Sequence, residues 1–320
     1  KLAANADVIL ESFRPGVMER LGIGYDEISK INEGIVYCSL TGYGQTGPYS
    51  QLPGHDINFI GYSGIFHLIG EKNGKPVIPG VQVADLGGGA LMALSAITMA
   101  LLHKERTGKG QYIDVSMLDG AITWLYAAAS DYFASGTVPE RGKNRLDGHF
   151  AFYNIYQTKD DKYLSVGAAE KKFWKEICEL VGKPEWIELH EGPEEVQEQL
   201  KKEMTELFKQ EDQQYWMNLL QTKDTCVGPI YDIDQLYADP QIIEREMLTT
   251  MQHPTAGTVQ QIGFPIKFSH TPGEIYAHSP LLGEHTEELL LEVGYSKESV
   301  LLLEKSGVIG QLKNKKETTK

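Results

Sequence analysis

Three side chains able to move protons stand at element boundaries. His55 lies in Gly54-His55-Asp56-Ile57-Asn58. Imidazole is the side chain whose pKa suits proton transfer near neutrality. Ile57, Ile60, Tyr62 and Ile65 resume an apolar pattern behind it, so His55 sits at a loop-to-helix junction. Such a position also suits a capping or surface histidine. Asp85, in Val83-Ala84-Asp85-Leu86-Gly87-Gly88-Gly89, precedes a buried helix, where an acid serves as an N-cap. A cap has no use for three glycines, which cost up to about 1 kcal/mol each in a helix. Glycines there would let a ligand lie against the backbone, with free N–H groups of Gly87 and its neighbours aimed at a developing negative oxygen. Glu170 ends the strand Leu164–Ala169 and starts a helix, where a glutamate also suits the helix dipole.

Other motifs carry less. Gly42-Tyr43-Gly44-Gln45-Thr46-Gly47 spells a dinucleotide fingerprint after a strand. The fingerprint needs a helix to begin at once, and Pro48, Pro53 and Gly54 follow instead. A glycine loop that admits a ligand to the backbone fits better. Arg14 and Arg20 flank a helix start in an acidic chain and are candidates for phosphate contact, although surface arginine is common. His278, Glu284 and His285 fit no compact metal site. Ser63 and Cys38 have no neighbouring base signature, so nothing supports nucleophilic Ser or Cys catalysis.

The chain that must hold these groups has 320 residues, 41% hydrophobic and 23% charged, an ordinary globular composition that predicts two domains. Its net charge of -14 argues against nucleic acid and anionic membrane surfaces as partners. Gly87 to Leu102 reads as too short and too rich in Gly and Ala to span a bilayer. Lys1 to Ala6 lacks the apolar core of a secretory signal. Cys38, Cys178 and Cys226 are odd in number and widely spaced, which predicts reduced thiols in a cytoplasm.

Strands over 6–13, 34–40 and 112–115 alternate with helices at 17–21, 25–31 and 87–104, which predicts parallel β with helical crossovers. A helix over 117–133 leads into the polar linker 136–144. Beyond it, strands at 152–157, 162–166 and 226–230 and helices at 171–181, 194–208 and 213–222 predict a smaller α+β domain. A mixed stretch runs to about 268, and a helical pair (283–294, 297–306) is expected to return to the core. The run Lys313–Lys320 reads as a frayed end. Domain boundaries fall near 140 and 265. The chain opens at Lys1 almost directly on the apolar strand, so an N-terminal piece of the sheet is expected to be absent.

Six stretches together resemble the alpha-methylacyl-CoA racemase branch of the class III CoA-transferase (CaiB/BaiF) family: Glu11–Val17 with Arg20–Gly22, Thr41–Pro48, Gly54–Asn58, Ala84–Gly89, Leu146–Gly148 with Val166–Glu170, and Pro280–Thr286. The resemblance implies a parallel Rossmann-like α/β core with a smaller α+β domain, in an interlocked homodimer. It implies that the acid/base histidine and aspartate fall on His55 and Asp85. The glutamate that orients the histidine falls on Glu170, in reach of Asp85 from another region or another subunit. CoA contacts fall on Arg14 and Arg20, with Gly54, Gly87 and Gly88 as backbone approaches. Family members begin with a further strand, helix and basic CoA-contacting segment, on the order of one or two βαβ units of about 30 residues each. The expected reaction inverts a carbon next to a thioester carbonyl on a 2-methylacyl-CoA substrate and requires no metal or redox cofactor. In the transferases the residue matching Asp85 is instead a nucleophile. A chain without its first segment, binding acyl-CoA but inactive, is the third reading.

Overall fold

The computed structural model describes residues 1–310, so the terminal lysine-rich run lies outside the described residues. The chain divides into two compact units, one of Lys1–Ile230 and one beginning at Tyr231. The division falls elsewhere than at the compositional boundaries near 140 and 265, because the linker 136–144 and the strands after it belong to the first unit.

The first unit holds two sheets. β1 (Val8–Glu11), β2 (Val36–Thr41) and β3 (Gln111–Ser116) are parallel in the order β1-β2-β3, with Val8 opposite Val36 and Val36 opposite Gln111. β2 is central, and its Val36, Tyr37, Cys38 and Ser39 are all buried. That is the expected signature of a parallel strand covered on both faces. α1 (Tyr25–Ile31) connects β1 to β2. The long connection from β2 to β3 carries the glycine loop, α2 (Asp56–Ser63), a π-helical segment (Val83–Ala90) and α3 (Leu91–Thr107). Ser12-Phe13-Arg14, Gly42-Tyr43 and Met117 therefore all follow directly on the carboxyl ends of strands. In parallel α/β sheets that is where ligands bind.

The sequence predicted a helix from Gly87 and bounded the apolar stretch as too short for a bilayer. The helical run is longer: Val83–Thr107 is 25 residues, long and apolar enough by length and composition to cross a membrane. In this fold one face of it covers the parallel sheet, where Ala93, Met92 and Ile97 pack on Cys38, Leu40, Ile113 and Val115. The predicted helix over 117–133 is two: α4 (Met117–Thr123) and α5 (Tyr126–Ser135). Between them Trp124 and Leu125 donate to the carbonyls three residues back, Ala121 and Ile122, so the helix tightens and restarts.

The glycine triplet serves packing. Gly87, Gly88 and Gly89 are buried against α4. A Cβ on Gly120 would lie 1.9 Å from the Gly88 carbonyl oxygen, and one on Gly88 would lie 2.7 Å from the Met117 carbonyl oxygen. Two backbones meet there with no room for a methyl. Gly120→Ala is expected to destabilise the protein by about 1–3 kcal/mol through overpacking, each kcal/mol lowering Tm by roughly 2–4 °C. Scanning calorimetry of that variant checks this, and an unchanged Tm would contradict the close contact.

β4 (Tyr153–Gln157), β5 (Tyr163–Gly167) and β6 (Val227–Ile230) form the second, antiparallel sheet; a tight turn in which Asp161 has φ 58° joins β4 to β5. α6 (Lys171–Leu180), α7 (Glu194–Phe208) and α8 (Gln213–Leu220) lie within a residue or two of their predicted spans. Their apolar faces build the largest core, centred on Phe152, Trp174, Trp186, Met204, Phe208 and Trp216. The buried indoles are satisfied: Trp174 Nε1 donates to the Trp186 carbonyl at 2.8 Å and Trp216 Nε1 to the Phe208 carbonyl at 2.9 Å.

The second unit opens with two short helices (Ile233–Ala238 and Pro240–Glu244), continues with a hairpin, β7 (Leu248–His253) and β8 (Gly257–Ile262), and adds the helices α9 (Thr286–Glu292) and α10 (Lys297–Lys305). Ser296 caps α10 by accepting from the Ser299 N–H at 3.2 Å. The sequence left the hairpin unassigned, since Thr and Gln fill the positions that would otherwise show alternation.

Candidate active site

A cavity of about 560 Å³ opens at the carboxyl ends of β1 and β2. His55, Asp85, Arg14 and Gly54 all line it, together with Thr41, Tyr43, Asn58 and Phe59. Two predicted proton-transfer groups, separated by 30 positions in the chain, thus face one space.

Each is placed by a helix start. His55 is the N-cap residue of α2, in extended backbone (φ -131°, ψ 173°). Its N–H donates to the Asn58 carboxamide oxygen at 3.1 Å, and its carbonyl accepts from the Asn58 N–H at 2.8 Å. These bonds fix the backbone while leaving the imidazole exposed at the cavity. Asp85 sits in the first turn of the π-helical segment, half-buried. Such segments are rare and concentrate at functional sites.

Asp56 joins the two starts. Its Oδ1 accepts from the Ala84 N–H at 2.6 Å and from the Asp85 N–H at 3.1 Å. The N–H groups of Ala84 and Asp85 are therefore already taken, whereas the donors expected for a developing oxyanion lie further along the same segment, at Gly87–Gly89. Burial holds the Asp85 carboxyl above its ordinary pKa, the negative charge of Asp56 adds to this, and His55 partly offsets it.

The walls follow from aromatic packing. Phe59 is buried and lies beneath both glycine turns: a Cβ on Gly42 would fall 2.3 Å from its ring and one on Gly54 2.6 Å. Tyr43 stands edge-on to Phe59 with ring centroids 5.1 Å apart. The glycine loop itself is pinned from β3, where both Asp114 carboxylate oxygens accept from the Gln45 N–H at 3.2 and 3.1 Å. No helix follows this loop until Asp56, as the prolines predicted.

Arg14 brings a positive charge to the cavity and makes no ion pair among the described residues. The remaining predicted site residues lie apart from it. Arg20 closes the short helix Val17–Arg20 and does not line the cavity. Gly87 and Gly88 do not line the cavity and are packed in the glycine contact described above. Glu170 is the N-cap residue of α6, beside the antiparallel sheet, and does not line the cavity. The sequence reading gave no role to Asp56, Asn58, Phe59 or Tyr43. Asp56 directly follows His55, and an acid there reads as an ordinary first-turn residue until its partner 28 residues away is seen.

At the carboxyl edge of a parallel α/β sheet, a histidine, a half-buried aspartate and an arginine with no ion pair among the described residues thus line one cavity, the kind of place where such folds bind small molecules. Comparison with known proteins is specific. The model of CoA-transferase family III matches residues 1–286, and the chain belongs to that family. It is 34% identical to human succinyl-CoA:glutarate CoA-transferase over 97% of this chain and 72% of that protein. It is 32% identical to human alpha-methylacyl-CoA racemase over 97% of this chain and 80% of that protein. Among solved structures, a CAIB/BAIF family protein from Brucella suis matches with a TM-score of 0.79 and 30% identity, over 91% of this chain and 76% of that one. Relatives named for isomerisation and for CoA transfer thus stand at nearly equal identity. The chain is an enzyme of a family that acts on CoA thioesters.

Proposed function

We propose that this chain is a racemase or epimerase of 2-methyl-branched acyl-CoA thioesters that exchanges the α proton between two bases. The observation that carries the reading is His55 and Asp85 lining one cavity. Inversion at carbon requires a base on one face and an acid on the other. Neutral His55 with protonated Asp85 serves one direction, and cationic His55 with ionised Asp85 the other. The same two groups therefore work in both directions, exchanging roles. Each positioned group is worth roughly 10²–10⁴-fold. Arg14, with Arg20, is assigned to the anionic CoA moiety.

Glu170 lies outside this cavity in its own chain, so a homodimer in which a second copy supplies it belongs to the proposal. Large apolar side chains of the first unit support such an assembly: Leu91, Leu94, Met99 and Leu102 along α3, with Trp124 and Phe133, are all exposed. Reduced thiols fit a cytoplasmic site of action, which is part of the same proposal.

CoA transfer is the second reading, favoured by the transferase relatives. There the Asp85 carboxylate attacks the thioester carbonyl and expels CoA thiolate, leaving an acyl–aspartyl mixed anhydride. A carboxyl held above its ordinary range is less ionised, which suits a proton donor better than a nucleophile. Incubation of one epimer of a 2-methylacyl-CoA in D₂O separates the two. Deuterium at the α carbon with formation of the other epimer is the expected result. Absence of both, with CoA moved to an added carboxylic acid, would replace isomerisation by transfer.

A further inference from the structure

We propose that Asp56 is the positioning residue of this site: its carboxylate, accepting the N–H groups of both Ala84 and Asp85, fixes the helix start that carries Asp85 to the helix start that carries His55. The inference rests on the acid/base reading of the cavity for its catalytic consequence, but not for the clamp itself.

The geometry is economical. Asp56 is the first residue of α2 and adjoins His55 in the chain, so the His55 backbone and the Asp56 carboxylate are placed together. At the other end, Ala84 and Asp85 lie in the first turn of the π segment, whose N–H groups have no carbonyl within the helix to bond. No side chain of the N-cap residue Gln82 bonds them. Asp56 satisfies both, at 2.6 and 3.1 Å, from 28 and 29 positions earlier. Charge-assisted bonds to backbone donors are the stronger kind, and an anion at a helix start is favoured by the dipole. Acid/base catalysis by two groups acting on one carbon needs their separation held to a fraction of an ångström. A 1 Å misplacement costs about 10²-fold.

A neutral side chain could accept the same two bonds, so the charge has a separate consequence. Asp56 brings a negative charge next to Asp85 and favours its protonated form. The charged and titratable groups around Asp85 are few. α2 contributes His55 and Asp56, and Arg14 lines the same cavity. The elements packed on the π segment carry Asp119 on α4, Tyr37 and Cys38 on β2, Tyr112 and Asp114 on β3, Tyr62 on α2, and His103, Lys104, Glu105 and Arg106 at the far end of α3. Of all these only Asp56 and His55 bear on the Asp85 carboxyl strongly enough to shift it, in opposite senses.

Two variants separate position from charge. Asp56→Asn keeps an oxygen acceptor and removes the charge, whereas Asp56→Ala removes both. Asp56→Ala is expected to lose about 10²-fold in kcat, while Asp56→Asn retains most of the activity with the acid limb of its rate–pH profile moved to lower pH. Amide hydrogen exchange at Ala84 and Asp85, which needs no substrate, is expected to quicken in Asp56→Ala and stay slow in Asp56→Asn. Wild-type activity in Asp56→Ala, or equal profiles in the two variants with exchange unchanged, would overturn the proposal. Should the wild type neither exchange an α proton nor transfer CoA, the functional reading falls, and the amide-exchange contrast still decides the clamp.

Discussion

Asp85→Asn is expected to lower the rate of epimer interconversion by roughly 10²–10⁴-fold without abolishing proton exchange from one epimer. In a two-base site each handedness presents its α hydrogen to a different group. With Asp85 silenced, His55 still removes the hydrogen from its own side, and solvent deuterium returns to the same face. One epimer therefore gains deuterium with retention, while the other gains none. His55→Asn is expected to give the mirror result, with exchange surviving only in the epimer that Asp85 serves. Proton NMR of each epimer in D₂O, beside chiral separation of the products, reads both outcomes. The pattern is hard to produce otherwise. Aspartyl acyl transfer predicts that Asp85→Asn stops all CoA movement and that His55→Asn does little. Exchange lost from both epimers in each single variant would refute independent bases.

The second large effect concerns Glu170, which stands at the start of α6 and does not line the cavity of its own chain. If a second copy supplies it, co-expression of His55→Ala and Glu170→Ala chains is expected to restore activity that neither variant has alone. A mixed two-fold dimer then contains one site with both substitutions and one with neither. Random pairing makes half the dimers mixed, so the recovered rate approaches about a quarter of wild type. No recovery, with mixed dimers demonstrated by differential tags, would place the glutamate in the same chain as its histidine or remove it from the site altogether.

The sequence carried the architecture well where local physics decided it. β1 and β2 are short, largely apolar runs and β3 a mixed one, punctuated by glycine and helical patterns, and their order along the chain predicts parallel pairing. The charged amphipathic helices α6 to α8 were equally legible, since one stripe of each is apolar and the rest is not. His55, Asp85 and Arg14 stand out in the sequence at element junctions and Gly54 through the family resemblance, and all four line the same cavity. What was hidden depends on partners distant in sequence. The glycine triplet invited a ligand because its cost had no local compensation. That compensation is Gly120, 32 residues beyond Gly88, which no helical period announces. Asp56 had no role in the sequence reading, because its carboxylate serves a helix start 28 and 29 positions away. The hairpin of β7 and β8 escaped because polar side chains occupy both its faces.

Phe59 holds a further meaning. One benzene ring underlies the turn at Gly42 and the turn at Gly54, and each turn approaches it more closely than a methyl group would allow. The two rims of the cavity thus rest on a common foundation stone. Trimming that ring would let both rims settle together, and enlarging it would drive them apart, in addition to changing the one cavity-lining side chain exchanged. The size of ligand admitted can therefore change through the support this ring gives to two distant turns, an effect larger than its own contact with the cavity would suggest.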